Sequence, residues 1–152
     1  RDGASLPDRA AMLQASLDAG AAFTRASVGN VHAIAHTLGG LYGTAHGLAN
    51  AVLLPIVLED YGAAAYPRLA RLAHLVGIQE ASAEASARAF IAEIRAMNTR
   101  MGIPDHFDCI RSEDIPLMAS WACREANPVY PVPVIYDQAR FARVIERSCV
   151  KP

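Results

Sequence analysis

Apolar residues recur every three or four positions through most of the chain, the spacing that keeps one face of a helix out of water. No segment of useful length alternates apolar with polar as a half-buried strand does. The first helical run follows Ser5, Pro7 and Asp8: a capping hydroxyl, a proline tolerated in the first turn, and a carboxylate at the positive end of the dipole. It carries Leu13, Leu17 and Ala21, flanked by Met12, Ala19 and Phe23, and its Gly20-Ala21-Ala22 patch would let another helix approach closely. A second helix is predicted over Val28 to Leu38, with Gly39-Gly40 ending it. Thr44 is the candidate N-cap of a third, running through Val52, Leu53 and Ile56, which Pro55 should kink or finish.

The pattern continues over Pro67 to Val76, with Leu69, Leu72, Ala73 and Val76 on one side and Gly77 as the stop. A longer helix over Glu80 to Met101 turns Phe90, Ile91, Ile94, Met97 and Met101 inward and ends at Gly102. Ser112, Glu113 and Asp114 open another, burying Ile115, Met118, Trp121 and Ala122. Asp137 caps a last helix with Phe141, Val144, Ile145 and Cys149 in a stripe. Between these two, Pro128, Pro131 and Pro133 forbid a helix and enforce an extended strap, read as a covered connector. The sum is an all-α bundle of six or seven helices, residues 1–152 forming one helical domain.

Composition narrows the partners. Of 152 residues, 53% are hydrophobic, and the abundant alanine favours closely packed helices, some of whose surface is expected to be covered by a partner or a further domain. A net charge of −1, with no basic run interleaved with aromatics, argues against nucleic acid or an anionic membrane surface. No apolar run is long enough to span a bilayer. Cys109, Cys123 and Cys149 form no CxxC pair and fit reduced thiols, which makes the cytoplasm the expected location. The polar start Arg1-Asp2-Gly3 would suit an internal loop as well as a terminus.

Chemistry concentrates in VHAIAHTLGGLYGTAHGLANAVLLP, Val31 to Pro55, which holds three of the five histidines. His32 and His36 lie four residues apart, one turn above each other on a helix. His46 comes fourteen residues after His32, beyond Gly39, Gly40 and Gly43, in the first turn of the next helix. A lone histidine in apolar sequence is usually a core side chain bonded to a carbonyl. Three imidazoles on two arms of a glycine-hinged pair point instead to a common site, and neutral imidazole suits iron, zinc, copper and nickel. Asn50, in an otherwise apolar run, is either a buried amide tying backbone groups together, the preferred reading, or a substrate-side polar group. His74 and His106 stand alone and are given no chemistry.

H-A-I-A-H-T-L-G-G followed by A-H-G-L-A-N-A-V-L-L-P resembles the signature of the iron-containing (group III) alcohol dehydrogenases. The resemblance implies that His32 and His46 are metal ligands and that His36 lies near the nicotinamide and substrate as a catalytic, proton-transferring residue. It also implies that the first helix packs behind the metal helix. The family's other two ligands, an aspartate and a histidine on an earlier helix, have no counterpart: no histidine precedes His32, and Asp2, Asp8 and Asp18 lack one four residues on. The Gly-rich nucleotide-binding domain is absent as well, so no cofactor-binding residue is expected in this chain.

By this resemblance the chain is the C-terminal helical metal-binding domain of the dehydroquinate-synthase-like fold, incomplete on its N-terminal side and inactive alone. The implied activity moves hydride between a small alcohol or aldehyde and NAD or NADP, with Fe2+ as Lewis acid, in a homo-oligomer whose N-terminal domain holds the nucleotide. Two alternatives stand beside it: a zinc-dependent (Zn2+) polyol dehydrogenase of the same superfamily, and a non-catalytic helical interaction module.

Overall fold

The computed structural model describes residues 3–149, so Arg1 and Asp2 of the polar start lie outside the described residues. Seven α-helices follow one another: α1 (Leu6–Ala26), α2 (Asn30–Tyr42), α3 (His46–Tyr61), α4 (Tyr66–Leu75), α5 (Ala83–Arg100), α6 (Ile115–Ala126) and α7 (Gln138–Arg147). Single 3-10 turns at Gly62–Ala64 and Ser112–Asp114 lead into α4 and α6, and no strand occurs among the described residues. The all-α expectation holds. None of the described helices is long and apolar enough to cross a membrane.

Helix α3 is the axis, packed by α2, α5 and α7, while α6 closes over α2 and α7, and α4 and α5 pair as a hairpin. Ile34 and Leu38 of α2, Val52, Leu53 and Val57 of α3, Met118 and Ala122 of α6, and Phe141, Val144 and Ile145 of α7 fill the interior with almost no solvent contact. Phe141, Val144 and Ile145 form the predicted stripe of α7, while Cys149 lies past its end and is half-buried; Asp137 caps the helix by accepting from the Arg140 N–H at 2.7 Å. Ser5 and Ser82 cap α1 and α5 in the same way.

Several expectations are corrected. Helix α1 forms where its caps predict, yet none of its residues is buried, and Leu13 and Leu17 are 73% and 66% exposed. It therefore does not pack behind α2, and nothing lies within 4 Å of the place a Cβ would occupy on Gly20. Gly39 and Gly40 sit inside α2; the stop is Gly43, whose φ of 64° is the left-handed turn that glycine adopts without strain. Thr44 is not the N-cap of α3, a position held by Ala45 without a side-chain bond. Pro55 lies inside α3 rather than ending it. Met97, Met101, Leu72, Val76 and Trp121, all read as inward-facing, are exposed. The strap is not extended throughout and only partly covered: residues 127–130 turn, with the Tyr130 N–H bonding the Ala126 carbonyl at 2.9 Å, and Val129 is 70% exposed, whereas Tyr130, Val132 and Val134 are half-buried.

Candidate metal centre

Helix α2 places His32 and His36 one turn apart, and Gly43 turns the chain back so sharply that His46 is the first residue of α3. Two bonds hold the turn, from the Gly43 N–H to the Gly39 carbonyl at 3.1 Å and from the Thr44 N–H to the Leu38 carbonyl at 3.4 Å. The three imidazoles meet as a result. Ring centroids lie 5.2 Å apart for His32 and His46, 5.2 Å for His36 and His46, and 6.0 Å for His32 and His36. His32 is half-buried, while His36 and His46 open to solvent.

Ring orientation separates the pairs. An imidazole lone pair lies in the ring plane, so two rings share an ion only where their planes cross near both nitrogens. The His32 and His46 planes are inclined at 56° and those of His32 and His36 at 71°, and either angle permits a crossing. Those of His36 and His46 are stacked at 16°, and planes so nearly parallel do not meet within bonding distance. Burial lowers the pKa of His32, and the like charges that His46 and then His36 would carry lower it further, against a smaller opposing pull from Glu125. The neutral form that can bind a metal is favoured there.

As donors these imidazoles fit a divalent transition metal, but they are a partial set. Among the described residues, no three His, Cys, Asp or Glu side chains form a group that could hold an ion. His46 is also engaged: the Asn50 side-chain N–H2 donates to the His46 carbonyl at 3.0 Å and lies 2.9 Å from His46 Nε2. The carbonyl fixes that nitrogen as the donor, so Nε2 accepts, and an ion bound at Nε2 would displace the amide. The expected bond from Asn50 to backbone is present, while its contact with the His46 ring was not foreseen; the spacing of four residues on one helix was the available signal.

Two further residues were not foreseen. Glu125, near the end of α6, takes His36 Nδ1 at 2.7 Å, and the Tyr130 hydroxyl of the strap donates to the same Oε1 at 2.6 Å. Burial and then the Glu125 carboxylate push the Tyr130 phenol up to about 12, so it remains a donor at neutral pH. Glu125 lies 89 residues from His36 in sequence, and no local pattern links them. His106, expected to be isolated, bonds Asp108 at 3.0 Å and also pairs with Asp105, away from this cluster. The three cysteines are free thiols.

Residues 1–148 match the family described as Fe-containing alcohol dehydrogenase, C-terminal. The chain is similar to 1,3-propanediol dehydrogenase of Klebsiella pneumoniae, 43% identical over 130 residues that make up 82% of this chain and 33% of that protein. It is similar to lactaldehyde reductase of Escherichia coli (strain K12), 38% identical over 119 residues, 72% of this chain and 31% of that one. Among solved structures, that of a 1,3-propanediol oxidoreductase superposes with a TM-score of 0.89 at 37% identity, covering 96% of this chain and 39% of its own. The alcohol dehydrogenase from Oenococcus oeni follows with a TM-score of 0.88 at 31% identity, covering 97% and 39%. The chain thus spans about a third of the length of these curated relatives. On the match over residues 1–148 and these identities, the chain belongs to the iron-containing alcohol dehydrogenase family, of which it carries the C-terminal helical part.

Proposed function

We propose that this chain is the metal-binding helical portion of an NAD(P)-dependent dehydrogenase acting on small alcohols and aldehydes, the kind of substrate named for its relatives. Residues 1–152 are one domain of that enzyme, incomplete on its N-terminal side. The remaining protein supplies the nucleotide-binding domain and the other metal ligands, in a homo-oligomer. The observation that carries the reading is the meeting of three imidazoles from α2 and α3 within 6.0 Å.

In this reading His32 and His46 hold a divalent iron. Bound there, the ion would supply Lewis acidity toward the alcohol oxygen, the chemistry that hydride transfer to or from a nicotinamide would need. His36 does not share the ion. It stands one turn from His32 and takes up or returns the hydroxyl proton through the ring nitrogen that Glu125 leaves free. Its exposure gives that proton an outlet to water.

Elemental analysis and turnover of the full-length protein test the division of roles. His32→Ala and His46→Ala should lose the metal. His36→Ala should keep it and lose rate by about a hundredfold or more, the usual contribution of an acid–base group. Loss of metal from His36→Ala as complete as from the other two, or retention in both ligand variants, overturns the assignment. Zinc rather than iron in the native protein would leave the residues in place and change the ion.

A further inference from the structure

The Pro-rich strap and the end of α6 meet α2 at one atom, Oε1 of Glu125. His36 Nδ1 and the Tyr130 hydroxyl approach it at 2.7 and 2.6 Å, both within the range of hydrogen bonds to a carboxylate. A carboxylate only accepts. Nδ1 therefore carries a proton whether the ring is neutral or cationic, and Nε2 is the only ring nitrogen at which a proton can be exchanged. Free histidine in water favours the opposite neutral tautomer, so the contact selects a form the side chain would not hold by itself.

We propose that Glu125, steadied by Tyr130, is the positioning residue of this site: it fixes the ring angle of His36 and keeps Nε2 as the exchanging atom. The proposal rests on the proton-transfer role given to His36 above. In this role Glu125 acts through the imidazole it bonds, as a carboxylate behind a catalytic histidine does in hydrolases. Tyr130 donates to the oxygen that His36 uses, which leaves the carboxyl group little freedom to rotate away. The strap supplies that donor because the chain turns directly after α6, where the Tyr130 N–H bonds the Ala126 carbonyl at 2.9 Å, and burial keeps the phenol protonated.

A purely structural role is the competing account, in which the Glu125 bonds only tie the strap to the bundle. The two differ in what they move. Loss of a tie lowers stability and leaves the imidazole tautomer alone, whereas loss of a positioning carboxylate changes the tautomer.

The test is nitrogen-15 NMR of the imidazoles in the zinc-loaded full-length protein, together with kcat and KM for a short alcohol. Wild type should hold His36 with Nδ1 protonated. Glu125→Ala should move the ring toward the Nε2–H tautomer and lower kcat by about ten- to a hundredfold, the range for lost partners behind site histidines, with KM and bound metal little changed. Tyr130→Phe should shift both in the same direction by less. An unchanged tautomer in Glu125→Ala overturns the proposal, as does an unchanged kcat. The tautomer is read without turnover, so this arm decides the proposal even where His32→Ala and His46→Ala retain metal and the dehydrogenase reading fails.

Discussion

The side-chain amide of Asn98 on α5 donates to the carbonyl of Ala51 on α3 at 2.8 Å. Ala51 is the residue whose carbonyl would be bonded by an N–H at position 55, and position 55 is proline, which has none. Asn98 replaces the missing donor from another helix. This is why α3 passes through Pro55 and continues to Tyr61.

Asn98→Ala should therefore cost about 1 to 3 kcal/mol, the penalty for a buried acceptor left without a partner. In a Pro55→Ala background the helix supplies its own N–H, and the same substitution should cost measurably less. Urea unfolding of the four proteins of this cycle reads the coupling. Additive costs would show that the two residues act independently.

Gly40 and Gly43 should respond to alanine with opposite signs. Gly40 lies inside α2 with nothing within 4 Å of its would-be Cβ, so Gly40→Ala should stabilise by about 0.5 to 1 kcal/mol. Gly43 has φ of 64°, so Gly43→Ala should destabilise by about 1 kcal/mol and displace His46, which follows three residues later. Thermal unfolding checks both. A shift of the same sign in each would contradict the placement of the helix end.

These glycines illustrate what the chain discloses by itself. Three glycines after an apolar run announce that a helix stops, and the two arms carrying His32, His36 and His46 follow from that. Which glycine takes the left-handed turn depends on bonds back to Leu38 and Gly39, which composition does not specify. The same limit applies to the site. His32 and His46 are local in sequence and legible, and Asn50 is one turn away on the same helix. Glu125 and Tyr130 arrive through the packing of α6 on α2, and no periodicity in a 12-residue helix reports a partner 89 residues distant. That Pro55 does not finish α3, one of the two outcomes expected for it, could not be read locally, because its compensating amide lies on another helix.

Helix α1 has a capped start and apolar residues, yet Leu17 is 66% exposed while Leu53 of α3 is fully buried. Leu17→Ala should change the stability of this chain by less than about 0.5 kcal/mol, as surface substitutions usually do. Leu53→Ala should cost about 2 to 5 kcal/mol, through lost transfer energy and the cavity left among α2, α3 and α7. Chemical unfolding of the 152-residue chain compares them. A large effect at Leu17 would mean that α1 is packed in solution.

Asp60, at the end of α3, joins that helix to α7. Arg140 donates from Nε to its carboxylate and from a terminal nitrogen to its carbonyl, each at 2.8 Å, and stacks over the Tyr136 ring at 4.8 Å. Burial by itself would raise the Asp60 pKa. The neighbouring Tyr136 hydroxyl, then the hydrogen bond and charge of Arg140 and the charge of Arg147, outweigh it and hold the carboxyl below its ordinary value. A carboxylate whose folded pKa is depressed stabilises fully above its unfolded value, about 3.9, and loses that contribution as pH falls through the folded one. Asp60→Asn should lower the urea midpoint at pH 7, and the gap from wild type should narrow as the pH is taken below about 4. A gap of constant width across that range would mean that the ionised carboxylate contributes nothing, and that the amide replaces it in hydrogen bonding alone.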